Sequence, residues 1–168
     1  MKICVEKFLS LSVMTKEELM REAIRLSVEN VKNGGGPFGA VIARDGEIIA
    51  AGVNRVTSEN DPTAHAEVSA IRAACKALGT FGLQGCEIYT SCEPCPMCLS
   101  AIYWARLDRM YYGNDKEDAA KAGFDDAFIY KEIALPPLHR RLLSMRLLPD
   151  EAIKAFTDWE EKPDRVEY

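Results

Sequence analysis

Asp45-Gly46 sits between two apolar runs, FGAVIAR and EIIAAGVN, and no other feature limits the possible folds of this chain so strongly. Both central residues of a tight type I′ turn need positive φ, which Asp and Gly tolerate, so this dipeptide between apolar runs predicts a β-hairpin. Upstream, TKEELMREAIRLSVENVKNGG predicts a helix. Thr15 and Glu18 form a capping box, Leu19, Ala23, Ile24 and Leu26 give an apolar face, and Gly34 and Gly35 end it. Downstream, AEVSAIRAACKALG has helical spacing through Val68, Ile71, Ala74 and Leu78, with Gly79 as C-cap. CEIYTS reads as a buried strand, PMCLSAIYWAR as a helix and RMYYG as a further strand. Strands joined by helical crossovers lie parallel, so the expected fold class is α/β, a sandwich around one mixed sheet.

With 168 residues, 48% hydrophobic and 28% charged, one core suffices. Residues 1–14 carry a short apolar run broken by Glu6 and Lys7, with no small-residue cleavage site after it. They read as a disordered extension, or as a start placed too early, with Met14 the true first residue. No run approaches the ~20 apolar residues of a membrane span. Twenty-one basic against 26 acidic residues, net −5, argue against a broad phosphate-binding face and hence against a nucleic-acid partner. A small molecule is the expected ligand. Of six cysteines, three crowd into SCEPCPMC, and a chain this long needs no disulfide staples, so reduced thiols in the cytoplasm are expected.

Cys92, Cys95 and Cys98 form two overlapping C-x-x-C pairs. Pro94 suits the first turn of the following helix, which would put Cys95 and Cys98 on one face of that turn and leave Cys92 pointing elsewhere. A helix N-terminus favours the thiolate, the form that binds metal. Two thiolates are too few for a closed structural zinc, and the chain has only two histidines. His139 in PPLHRRL reads as a surface residue, whereas His65 opens the preceding crossover helix. The expected set is therefore His65, Cys95 and Cys98 around zinc, with a fourth position open to water, as in catalytic sites. Glu67, on the same first turn as His65, is placed to move the proton. Two thiolates and a carboxylate more than balance the metal's charge, which suits a neutral substrate. Cys4, Cys75 and Cys86 read as small core residues or bystanders. GGGPFG lacks the lysine and spacing of a phosphate loop and reads as a turn into the first strand.

HAEV followed by EPCPMC resembles the zinc-dependent cytidine and purine deaminase superfamily. The resemblance covers residues ~15 to ~130 and implies a five-stranded sheet with helices on both faces, the ligand and shuttle roles above, and hydrolysis of an exocyclic amine with release of ammonia. GGPFGAVI, NDPTAHAEV, YTSCEPCPMC and AGFDDAFIYKEI look most like the small bacterial guanine deaminases. That likeness implies a purine-binding set of Phe38, Asn54, Ala66, Trp104 and Asp126, with a C-terminal aromatic at Tyr168. The Asn54 amide can donate to and accept from a purine edge, and aromatics wall the ring. A carboxylate at Asp126 only accepts, which favours the N–H groups of guanine; its neighbour Asp125 could take that role, and either could instead be a turn or cap residue.

The expected organisation is an extension over 1–14, a zinc deaminase domain over 15–135 and a helical tail over 136–168. LPDEAIKAFTDWEEKP predicts the tail's last helix, with Ile153, Phe156 and Trp159 on one stripe and a stop before Pro163. The tail carries apolar residues that need cover, so it is expected to dock beside the active site, on its own subunit or exchanged across a homodimer, with Tyr168 closing the pocket. The alternatives are a tRNA adenosine deaminase, a guanosine or other nucleoside deaminase, and a non-catalytic zinc-stabilised binding protein of the same fold.

Overall fold

The structure, a computed structural model, describes residues 13–168, so the extension expected over 1–14 lies, for its first twelve residues, outside the described chain. Met14 is held: its N–H donates to the carbonyl of Gly46, and its side chain packs against the core.

The sheet is built from β1 (Gly39–Arg44), β2 (Glu47–Val53), β3 (Glu87–Cys92) and β4 (Arg109–Asn114), in the order β2-β1-β3-β4. Asp45 and Gly46 take φ of 51° and 77° between β1 and β2, the positive values that a two-residue I′ hairpin requires. β1 runs antiparallel to both β2 and β3, while β3 and β4 are parallel. Four strands, not the five implied by the resemblance, are present among the described residues. After β4 the chain enters KEDAAK, rich in helix formers and free of β-branched residues, and becomes helical.

Side chains alternate across the sheet and so make two cores. Val41, Ala43 and Tyr89 face α1 (Lys16–Lys32), packing with Leu19 and Ala23. Ala40, Ile42 and Ile88 face the other way, against α3 (Ala66–Leu78) and α4 (Pro96–Trp104), with α2 (Val56–Glu59) a single turn between β2 and α3. The capping box of α1 is formed: Thr15 Oγ1 accepts from the Glu18 N–H, and Glu18 accepts from the Thr15 N–H. Of the apolar face read for α1, Leu19, Ala23 and Leu26 pack on the core, whereas Ile24 is exposed.

The inward face of α3 includes the expected Ala74, with Ile71 and Leu78 packed beside it, and is widened by two further alanines. Ala66, Ala70 and Ala74 are buried, and Val68, Ile71 and Leu78 flank them half-buried. The cause lies in β2, where a Cβ on Gly52 would reach the Ala70 nitrogen at 2.5 Å. Backbone meets backbone there, so only small residues fit the seam.

α4 begins at Pro96, where the segment PMCLSAIYWAR was read to begin, but Pro94 is not in its first turn. Cys95 is its N-cap and Pro96 its first residue, with Pro94 buried just outside the helix. Pro96 thus fills the place that needs no N–H.

The chain divides into two compact units, residues 1–115 and 116–168, with the break inside the 15–135 stretch read as one domain. The second unit contains α5 (Lys116–Lys121), α6 (Ala127–Ala134), a 3-10 turn at Pro137–His139, α7 (Pro149–Ala152) and α8 (Lys154–Glu161). The expected last helix is two short ones meeting at Ile153, whose backbone stays in the right-handed helical region, and it stops before Pro163 as expected. No described helix is long and apolar enough to cross a membrane.

Candidate functional site

His65 and Cys95 are N-caps, of α3 and α4, and Cys98 lies three residues into α4. His65 is aimed by the turn before it: Asp61 Oδ1 accepts from both the N–H and the hydroxyl of Thr63, and the Ala64 carbonyl accepts from the Arg55 N–H. The sequence reading assigned no role to this Asp-x-Thr turn, although its composition is a recognisable Asx signal. His65 Nδ1 lies 3.6 Å from Cys95 Sγ and 3.4 Å from Cys98 Sγ, and all three ligand atoms fall within 4.8 Å of one another. Zinc at its usual bond lengths would set tetrahedral nitrogen–sulfur edges of about 3.6 Å, so the donors fit the ion in both kind and spacing.

Glu67 is buried beside them, and Cys98 Sγ donates to its Oε2 at 3.4 Å. Cys92 closes β3 facing away: its thiol donates to the Asp115 carbonyl at 3.5 Å. Burial pushes the Cys92 thiol up to about 11. Cys75 is half-buried and Cys86 fully buried in the α3 and α4 core, and no described cysteine is in a disulfide.

The substrate residues named from sequence fall in both units. Asn54 follows β2 and is buried; its Oδ1 accepts from the Val56 N–H at 3.3 Å, which fixes which end of the amide is oxygen. Its Nδ2 donates to no described residue. Gly36 has no Cβ for a reason: one there would sit 3.0 Å from Asn54 Oδ1. Phe38 packs on the edge of the α3 and α4 core, and Ala66 is the buried first residue of α3. Trp104 ends α4 and is 64% exposed, so it is not a core residue of this unit. In the second unit Asp125 takes the turn role, its Oδ1 accepting from the Ala127 N–H, while Asp126 N-caps α6 without using its side chain. Tyr168 meets Trp159 edge to face at 6.4 Å. His139 is exposed.

Residues 13–114 match the family model of the cytidine and deoxycytidylate deaminase zinc-binding region. The chain belongs to the cytidine and deoxycytidylate deaminase family. A guanine deaminase of Bacillus subtilis is 53% identical over 156 residues, covering 92% of this chain and all of that protein. The X-ray structure of guanine deaminase from that organism superposes with a TM-score of 0.90 at 52% identity, over 92% of this chain and 99% of the other. A tRNA-specific adenosine deaminase of Agrobacterium fabrum is 48% identical over 89 residues, 52% of this chain and 59% of that one.

For a zinc deaminase the electrostatics are apt. Hydrogen bonds from Cys98 and His65 pull the Cys95 thiol down to about 4, while the partnership with Cys95 and burial push Cys98 up. These opposite shifts describe one pair sharing a proton: the first leaves easily, and the second needs a cation to displace it. The Cys95 partner raises His65, and burial raises Glu67. Glu67 is thus a buried carboxyl inclined to hold a proton, in contact with one of the three donors.

Proposed function

We propose that the protein hydrolyses guanine, with water, to xanthine and ammonia, acting as a homodimer in the cytoplasm. The observation that carries this reading is the His65, Cys95 and Cys98 cluster with Glu67 buried against it, in a chain that matches a guanine deaminase across nearly its whole length.

His65, Cys95 and Cys98 would hold the zinc, which would supply a water nucleophilic at neutral pH. Glu67 takes a proton from the attacking water and delivers it to the departing amine, and its burial makes the proton-bearing state accessible. Asn54 presents Nδ2 to an acceptor on the purine edge, Phe38 and Trp104 wall the ring, and Ala66 leaves room for it. Of residues 116–168, the reading assigns to guanine Asp126, whose carboxylate only accepts and so favours N–H groups, and the aromatic Tyr168. The exposed apolar residues of that segment support a dimer in which a second copy covers them. The free cysteines support a reducing compartment.

The test is ammonia release by the zinc-loaded protein from guanine, adenine, cytosine, cytidine and guanosine. Guanine is expected to turn over and adenine not. A preference for guanosine would overturn the free-base assignment, and activity only on adenosine in a tRNA would favour the second reading, which the Agrobacterium relative supports over half the chain.

A further inference from the structure

Asn30 lies towards the end of α1, where asparagine is a poor helix former and neither the zinc cluster nor the apolar face requires it. Its side chain nevertheless joins two distant pieces of chain. Nδ2 donates to the Gly36 carbonyl at 2.8 Å and to the Asn54 carbonyl at 2.9 Å, while the backbone carbonyl of Asn30 accepts from the Gly35 N–H at 2.8 Å. A Cβ on Gly35 would overlap the Asn30 amide, so the glycine run is the gap that admits it. Both donors of one amide are thus spent on the loop before β1 and the residue after β2. Phe38 closes the circuit: its N–H donates to the Gly36 carbonyl, and its carbonyl accepts from the Asn54 N–H at 3.2 Å.

We infer that Asn30 is a positioning residue for guanine binding, which fixes Asn54 and the Gly36–Phe38 loop from behind without touching the base. This rests on the assignment of Asn54 as a base-binding residue. Asn54 is then held at three points: its N–H by Phe38, its carbonyl by Asn30 and its Oδ1 by Val56. Only Nδ2 is left to point at a ligand. Removing the Asn30 donors frees one of the three holds and lets that amide drift, and a displacement near 1 Å is costly to a directional contact.

The experiment is steady-state guanine kinetics on the zinc-loaded full chain for Asn30→Asp, Asn30→Ala, Asn54→Ala and the double variant Asn30→Ala with Asn54→Ala. Asn30→Asp keeps the size but loses both donors, so it stands in if the alanine variant does not fold. Each Asn30 variant is expected to raise KM roughly tenfold with kcat within about threefold, at unchanged zinc content. The double variant is expected to be no worse than Asn54→Ala by more than about twofold, because the hold has nothing left to position. Asn30→Ser, with one donor for two carbonyls, should fall in between. An unchanged KM in the Asn30 variants, multiplicative effects in the double variant, or a loss of zinc and kcat at constant KM would overturn the inference while leaving the Asn54 assignment standing. If Asn54→Ala itself leaves KM unchanged, the base-binding assignment falls and takes this inference with it.

Discussion

In residues 13–115, Val41, Ile42, Leu83 and Ile88 are fully enclosed between the sheet and its helices, whereas in residues 116–168 Leu142, Leu143, Met145 and Leu147 stay largely exposed and no residue is buried. The two segments carry similar kinds of side chain to opposite ends. The first makes its own core and holds the metal ligands on the helix starts that the core fixes. The second is apolar without a core of its own, and apolar surface in water costs on the order of 25 cal/mol per Å². The difference teaches that the zinc site depends on the first segment's packing, while the second segment leaves its apolar side chains exposed.

The contrast breaks most visibly at Glu67. Glu67→Gln is expected to lower kcat by roughly 10²- to 10⁴-fold while zinc content stays at that of the parent, measured by ammonia release alongside metal analysis. Loss of zinc instead would make Glu67 part of the metal scaffold.

A core change should act only on the first segment. Ile88→Ala is expected to cost about 2–5 kcal/mol in denaturant unfolding, because a fully buried side chain leaves a cavity. Acid should release zinc from the same segment. Since His65 is raised by Cys95, its proton competes with metal up to a higher pH than for a free imidazole. Zinc affinity, followed with a chelator, should therefore fall as pH drops through that raised value, by about tenfold per unit for each proton taken up. An affinity flat across that range would contradict the assigned ligand.

In the second segment, Leu142→Ser with Leu143→Ser is expected to shift a dimer towards monomer in sedimentation and to leave zinc content unchanged. A monomeric parent would overturn the dimer assignment. The smallest effect is at the capping box, where Thr15→Ala should cost about 1 kcal/mol with kcat unaffected.

Local chemistry made much of the first segment legible. Asp45-Gly46, the Thr15 and Glu18 box and the Gly79 cap each depend on a few adjacent residues, and each is found where it was read. The metal set was legible for the same reason, since spacing along two helix starts limits what can converge. The burial of Ala66 and Ala70 on α3 was not, because Gly52 on a neighbouring strand decides how close the helix comes. Proline placement misled by two residues, for Pro94 and Pro96 lie on either side of the Cys95 N-cap and only the backbone path chooses which one opens the helix.

By itself the sequence determined α1, α3, the strand segments, the turn between the first two of them and the convergence of His65, Cys95 and Cys98, since these follow from short-range rules of turns, caps and spacing. The tertiary structure alone decided the four-strand sheet, the alanine seam under α3 and the grip of Asn30 on a carbonyl twenty-four residues away. Such contacts join segments that have no neighbour relation along the chain, and a side-chain amide can serve a distant backbone group only after the sheet has brought the two together.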